Sequence, residues 1–430
     1  MDKKINILIY PCGSENGLEI LLALKDIVNI KVFGVSGKID HGAFVFENYI
    51  SNAPYIDQPD FVERLNGIIE THDINFIFPT HDDIALELFK SQASLKAIVT
   101  GAGFEQAFIC RSKRKTYDVF KFENFCPKVF DNPDSVNIYP VFAKPDKGQG
   151  GKGAFLIHSK EEFTELLKIQ KDYVVTEYLD GEELTVDCFS DQFSKLRFVG
   201  PRTRGRILAG ISVNSKIVPL TSDIDYIAQT IHRKLNLRGL WYFQVKKDIN
   251  GDFMLLEVSI RASGTMNLYR GLGINFPLLT IYDLLGYQVE IFKNDYQLEV
   301  DRAFINRYRH TLSYDLVYLD FDDTVTKNGK VNSLVMMFIY NLINQGKRIK
   351  LITKHEYDIH LTFNRLGINK SIFEEIIHLG KLDKKVDFMK ETEKAIFIDN
   401  SFTERIQVKK RFNIAVFDVD TISILINWKE

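Results

Sequence analysis

The stretch Asp146–Gly153, DKGQGGKG, places four glycines and two lysines in eight positions. Glycine lets the backbone approach a ligand closely and adopt positive φ, so successive N–H groups can converge on phosphate oxygens. The lysines add positive charge, and Lys144 stands just upstream. The spacing G-x-x-x-x-G-K-[ST] of a P-loop is absent. A glycine-rich stretch between two strands also suits a plain flexible turn. Two readings therefore stand here: a phosphate cradle with Gly150 and Gly151 in it, and a turn.

Further along, QVKKD and FMLLEVSIR flank Asn250-Gly251, and Asn-Gly between alternating apolar runs signals a β-hairpin. Gln244 and Glu257 lie at similar distances on either side of that turn, so they can face one another across the two strands. Two oxygen donors placed this way suit Mg²⁺, which shares its coordination shell with nucleotide phosphates. Arg261 follows Glu257 by four residues and offers a second reading, a structural salt bridge between the two. The run PRTRGRILAG spaces Arg202, Arg204 and Arg206 at alternate positions. Alternate arginines can present one face to a carboxylate or phosphate, or form a solvated basic edge. Near the C-terminal end, LDFDDTVT carries Asp320 and Asp322 after an apolar strand. Strand alternation predicts both carboxylates on one face, a costly arrangement unless a cation or phosphate sits between them.

The elements that position these residues read as α/β throughout. Ile5–Tyr10, Ile30–Val35 and Ile74–Phe78 are compact apolar runs alternating with amphipathic stretches such as LEILLALKDI. That alternation predicts a parallel sheet covered by helices over residues 1–110. A basic cluster, RSKRKTYDVF, opens the next segment, 111–300, whose strands are Val141–Ala143, AFLI, Val174–Tyr178, LTVDCFS and the hairpin. The third, 312–430, has LVYLDFDDT, the helix LVMMFIYNLINQG and strands IKLIT, AIFIDN and IAVFDVD. A chain of 430 residues is long enough for several cores.

Lys and Arg number 55 against 57 Asp and Glu, a net charge of -2, which gives no electrostatic case for nucleic acid or an anionic membrane. No apolar run reaches about 18 residues, and the first is too short for a signal-peptide core. The four cysteines are scattered, without C-x-x-C spacing. A reduced, cytoplasmic enzyme is expected.

In order and spacing, Lys144, the glycine loop, TEYLDGEELTVD and QVKKDINGDFMLLEVSIR resemble the ATP-grasp superfamily, in particular the branch with biotin carboxylase and the carbamoyl phosphate synthetase large subunit. The resemblance covers roughly residues 1 to 290. It implies a Rossmann-like domain ahead of an ATP-grasp domain, with ATP and Mg²⁺ as cofactors. Lys113 and Lys144 would meet the phosphates. Glu177, with the backbone of Tyr178 and Leu179, would read the adenine edge, and Glu183 the ribose hydroxyls. Gln244, Glu257 and Ser259 would hold metal; the family often has asparagine at the position of Ser259. Arg261 would hold the transferred phosphoryl group. Asn267 and RGLGINFP match the closing segment.

The tail is similar to the haloacid dehalogenase superfamily, whose D-x-D-x-T motif matches Asp320, Asp322 and Thr324. The resemblance implies Asp320 as nucleophile, Asp322 as general acid/base, Thr353 in the second motif and Lys385 in the third, with Lys384 and Lys381 as competitors. Asp399 would be the fourth motif and, with Asp320 and Asp322, would bind Mg²⁺; Asn400 stands where a second acid is common. Gaps of about 32 residues between motifs leave no room for a large cap.

Together the two resemblances imply a ligase that activates a carboxylate as an acyl phosphate, couples it to an amine and carries a phosphohydrolase. The substrates are expected to be small molecules, with Arg202 and Arg204 as candidate contacts to a phosphorylated or acidic one. A homodimer is compatible with this reading. An ATP-grasp kinase, or a nucleotide-binding regulatory protein with a degenerate tail, are the alternatives. An NAD site at PCGSENG lacks G-x-G-x-x-G.

Overall fold

The structure, a computed structural model, describes residues 4–148, 150–170, 172–208 and 210–429. Gln149 of the glycine loop and Ala209 of PRTRGRILAG lie outside the described residues. The chain forms two compact units, Met1–Phe304 and Ile305–Glu430. The segments 1–110 and 111–300 share one unit because they share cores. One cluster unites Leu8, Phe33 and Phe89 with Phe120, Val186 and Phe243.

The first unit begins with β1 (Ile5–Tyr10), β2 (Ile30–Val35), β3 (Asn48–Ile50), β4 (Phe76–Pro79) and β5 (Ile98–Val99). They form a parallel sheet in the order β3-β2-β1-β4-β5. The central strands are buried almost throughout, as strands covered on both faces must be. At the C-terminal end of β4 the chain turns through Thr80 and His81 into the helix Asp82–Lys90, with Asp82 and Asp83 in its first turn.

β6 (Val129–Phe130), β7 (Val141–Pro145), β8 (Phe155–Ile157) and β9 (Tyr173–Glu177) make a second sheet, in which β7 and β8 flank the glycine loop. The chain continues through β10 (Glu183–Ser190), β11 (Leu196–Thr203), β12 (Arg206–Leu208), β13 (Ile211–Lys216), β14 (Gly239–Lys247), β15 (Phe253–Ser259) and β16 (Glu299–Asp301). The order β11-β10-β14-β15 makes an antiparallel sheet, and β12-β13-β16 a smaller one. The expected hairpin is β14–β15, and Gln244 pairs with Glu257 in its register. The register then shifts, with Val245 opposite Leu255. This bulge takes Leu256 out of the ladder, a device that re-aims backbone groups.

The second unit contains β17 (Leu316–Leu319), the short pair β18 (Thr326–Lys327) and β19 (Lys330–Val331), β20 (Arg348–Thr353), β21 (Glu375–His378), β22 (Ala395–Ile398) and β23 (Ala415–Phe417). Its parallel sheet runs β21-β20-β17-β22-β23. Among the described residues, no helix is long and apolar enough to cross a membrane.

The three arginines of PRTRGRILAG do not share a free face. Arg202, only 1% exposed, lies on β11 and pairs with Asp187 of β10 at 2.6 Å. It also donates to Ser263 Oγ at 2.9 Å and to Thr265 Oγ1 at 2.5 Å. Arg204 pairs with Glu183 at 2.6 Å, and Arg206 with Asp301 at 2.9 Å. Arg202 thus ties the strand edge to residues 263–265 and, so paired, also lines a cavity of about 300 Å³ in the first unit. Arg202→Ala leaves Asp187 buried without its partner and is expected to cost roughly 3–5 kcal/mol. Urea unfolding of the full chain measures this; a variant as stable as the parent contradicts it.

Candidate functional site

Two adjoining cavities, of about 260 and 300 Å³, open in the first unit. The smaller is lined by Lys113, Lys144, Gly150, Gly151 and Glu183. The larger is lined by residues including Glu15, His81, Tyr242 and Arg261. Gln244, Glu257, Lys152 and Arg204 line both, so the cavities meet at the Gln244–Glu257 pair.

Lys144 sits on β7 with its amine buried. Nζ donates to Tyr117 Oη at 2.6 Å and reaches the Leu256 carbonyl at 3.5 Å. Tyr117 Oη also donates to that carbonyl, at 2.8 Å. The bulge in β15 thus frees an acceptor that fixes Tyr117 and Lys144 together. Burial, and then the charge of Lys113, lower the Lys144 amine to about 7, against the pull of Glu257 and Glu183. Burial lowers Lys113 as well, with Glu257 opposing. Two amines that would be fully charged in water are held here without enough anion to match them.

The glycine loop is anchored at its N-terminal end. Ser112 Oγ donates to both carboxylate oxygens of Asp146, at 2.9 and 2.8 Å, and Lys113 Nζ to the carbonyls of Asp146 and Gly148, each at 3.3 Å. Gly150 and Gly151 have φ of 59° and 68°, a region that favours glycine. Gly150 also packs against Gly210 of the arginine-rich loop: a Cβ on Gly210 would fall 1.9 Å from the Gly150 carbonyl oxygen.

A family profile described as "ATP-grasp in the biosynthetic pathway with Ter operon" matches residues 170–303, from β9 to β16. The arginine-specific large chain of carbamoyl phosphate synthase from Bacillus subtilis (strain 168) is 30% identical over 141 residues, covering 30% of this chain and 13% of that one. The D-alanine–D-alanine ligase of Fusobacterium nucleatum subsp. nucleatum is 33% identical over 94 residues, covering 22% of this chain and 33% of that one. The matches therefore span a third or less of these relatives. Among solved structures, the biotin carboxylase domain of the Hydrogenobacter thermophilus 2-oxoglutarate carboxylase, in complex with ADP, magnesium and bicarbonate, superposes with a TM-score of 0.55. That superposition has 14% identity and covers 68% of this chain and 72% of the other. The first unit has the ATP-grasp fold.

Within this ATP-grasp unit the expected residues part company. Lys113, Lys144, Glu183, Gln244, Glu257 and Arg261 line the paired cavities. Glu177, Tyr178 and Leu179 line neither. The Glu177 carboxylate instead accepts the Lys128 backbone N–H at 2.8 Å, Tyr178 is 41% exposed, and Leu179 is buried. Ser259 lines neither cavity, and its hydroxyl donates to Asp82 Oδ1 at 2.7 Å. Arg261 pairs with Asp82 at 2.9 Å, not with Glu257, and lies 5.5 Å from the Tyr242 ring. Gln244 and Glu257 remain as two facing oxygen donors, which fits Mg²⁺ completed by phosphate and water. Sequence reasoning missed Asp82, Tyr117 and Arg111. An acidic pair directly after an apolar strand, in PTHDD, was the available signal for the first.

In the second unit, Asp320 follows β17, and β22 ends just before Asp399. Lys385 lies between them, donating to Asp320 Oδ1 at 2.5 Å and Asp399 Oδ2 at 2.6 Å. The structure thus brings Lys385, rather than Lys381 or Lys384, to the carboxylates. Burial raises Asp320 to about 7 even with Lys385 beside it, and raises Asp399. The two carboxylates outweigh burial at Lys385 and raise it. Thr324 Oγ1 donates to Asp320 Oδ2 at 3.2 Å, and buried Thr353 accepts the His355 N–H at 3.1 Å.

Asp322 departs from the expected shared face. The strand ends at Leu319, and a turn with Asp323 at φ 51° carries Asp322 outward, where its side chain is half exposed. Its carboxylate accepts from His355 Nδ1 at 2.8 Å, and His355 Nε2 lies 2.9 Å from Thr362 Oγ1. Asp322 and His355 line a cavity of about 830 Å³ with His360, His378 and Lys381. Among the described residues, no three His, Cys, Asp or Glu gather as a metal-binding group. Lys385 supplies a cation to Asp320 and Asp399, and His355 engages Asp322.

At pH 8 a Lys144 amine with a pKa near 7 is mostly neutral. A bound polyanion would favour its ammonium form, so binding of a nucleoside triphosphate analogue is expected to take up a proton, up to about one per site. Calorimetric titration with Mg·AMPPNP in buffers of different ionisation enthalpy reads this uptake. It is expected in the parent and lost in Lys144→Met; a parent enthalpy that does not vary with buffer contradicts it.

Proposed function

We propose that this chain uses Mg-ATP to activate a carboxylate as an acyl phosphate and couples it to an amine. The observation that carries the reading is the pair of amines held below their ordinary basicity, half-buried Lys113 and buried Lys144, lining a cavity with Gln244 and Glu257 where the two cavities meet. The relatives named as a carbamoyl phosphate synthase and a D-alanine ligase, and the neighbour solved with ADP, magnesium and bicarbonate, support it.

A carboxylate is a poor electrophile until its oxygen becomes part of a leaving group. Phosphoryl transfer asks the protein for positioning and charge neutralisation more than for covalent help. Lys113 and Lys144 neutralise the phosphates from the wall of the smaller cavity. Glu183 sits where a ribose hydroxyl can displace Arg204. Gln244 and Glu257 would hold Mg²⁺, which neutralises charge building on the transferred phosphoryl group. Arg261, at the wall of the larger cavity, faces that group from the substrate side. The glycine loop, resting on Gly210, closes over the site and keeps water from the acyl phosphate.

For the second unit, the reading is a haloacid dehalogenase-like phosphohydrolase acting on a phosphorylated substrate or product of the ligase. The convergence of Asp320, Lys385, Thr324 and Asp399 supports it. Asp320 attacks phosphorus and forms an aspartyl phosphate while Lys385 offsets the charge. Asp322 donates a proton to the leaving oxygen and then takes one from the hydrolytic water.

ADP release from the full chain, assayed against a panel of amino acids, acidic sugars and amines, is expected to require both a carboxylate and an amine. Arg261→Ala should lower the rate by roughly 100-fold or more. ADP release that is indifferent to any added carboxylate would sink the reading. For the second unit, hydrolysis of p-nitrophenyl phosphate should vanish in Asp320→Asn; unchanged hydrolysis rules Asp320 out as the nucleophile.

A further inference from the structure

We propose that Asp82 and Asp83, the acidic pair opening the helix Asp82–Lys90, form a two-armed positioning device, one arm setting Arg261 and the other setting the glycine loop. The inference rests on the ligase reading of the first unit and adds to it two residues outside the sheet that bears the chemistry.

The first arm is Asp82. Both of its carboxylate oxygens are used: Oδ1 accepts from Ser259 Oγ at 2.7 Å and Oδ2 from an Arg261 terminal nitrogen at 2.9 Å. Ser259 ends β15 and Arg261 lies two residues beyond, so one carboxylate grips the strand end and the guanidinium together. Arg261 also donates to the Ala262 carbonyl at 3.0 Å, and its guanidinium lies near the Tyr242 ring. Burial favours protonation of Asp82, but Arg261, Ser259 and Arg111 outweigh it and hold the acid below its ordinary value. The helix N-terminus favours the same ionised form. Asp82 is thus a fixed anion, and Arg261 has one orientation to adopt.

The second arm is Asp83. Arg111 donates to it through two nitrogens, at 2.5 and 2.9 Å, in the fork geometry that fixes a guanidinium in plane. The same terminal nitrogen of Arg111 donates to the Lys147 carbonyl at 3.1 Å. Lys147 belongs to the glycine loop, and the residues after Arg111 bind Asp146 and Gly148 of that loop. Successive residues on a helix point about 100° apart, so adjacent acids diverge, one toward the end of β15 and one toward the loop.

A merely structural role predicts something different. Acids in the first turn of a helix stabilise it, and losing either would weaken the fold in the same way. Two arms predict a split. In the full chain, Asp82→Asn should lower kcat for ADP release by roughly 10- to 100-fold, with the Kd for Mg·AMPPNP within twofold of the parent. Asp83→Asn should raise that Kd roughly tenfold and leave kcat at saturating ATP within twofold. Glu87→Gln, on the same helix and paired with exposed Lys90, should change neither. Thermal melting checks that each variant folds. If either does not, Ser259→Ala tests the first arm and Arg111→Lys the second. Variants that shift the same quantity, or shift nothing, overturn the inference and leave the ligase reading intact. A parent that binds Mg·AMPPNP but releases no ADP with any compound in the panel overturns the ligase reading, and with it the arm through Arg261.

Discussion

The first unit is organised around two lysine amines, half-buried Lys113 and buried Lys144, whose positive charge the surrounding protein disfavours. Lys113 and Lys144 face Glu257 from one wall, and burial keeps both amines below their ordinary basicity. A folded protein tolerates such a deficit where a ligand supplies the missing anion. Much nearby structure holds the deficit in place. The bulge at Leu256 frees a carbonyl for Tyr117 and Lys144, and Ser112 and Lys113 fix the root of the glycine loop. The arginines, by contrast, are matched: Arg202 by Asp187, Arg204 by Glu183, Arg261 by Asp82. Unmatched charge therefore lines the smaller cavity, and the arginines that line the larger one are each paired with an acid.

The second unit solves a similar problem in the opposite sense. Two buried carboxylates, Asp320 and Asp399, share one ammonium from Lys385. The cluster carries more negative than positive charge, and burial raises both acids. Asp322 is left outside it, engaged by His355 at the mouth of a much larger cavity.

What the sequence disclosed depended on how local the signal was. Apolar strands alternating with helices, and Asn-Gly between alternating runs, are short-range patterns; the parallel sheets and the β14–β15 hairpin follow them. Gln244 opposite Glu257 was legible because hairpin register is set by the turn. The partner of Ser259 was not, because its hydroxyl reaches Asp82, 177 residues earlier in the chain. Arg202, Arg204 and Arg206 looked like one face because strand alternation implies it. The strand in fact ends at Thr203, and each arginine meets its own acid. Asp322 failed for the same reason, a turn replacing the strand one residue before the alternation could act. Long-range pairing of charges leaves little trace in a single sequence, and it decides most of the differences.

The claim that most needs testing is that the first unit spends ATP on activating a carboxylate. The direct test is positional isotope exchange in ATP labelled with oxygen-18 at the β,γ-bridge, with a carboxylate from the active panel present and the amine withheld. A reversible acyl phosphate scrambles the label into the β non-bridging positions only when the carboxylate is there. Scrambling that proceeds equally without any carboxylate, or no scrambling while ADP and a coupled product still form, would contradict the account.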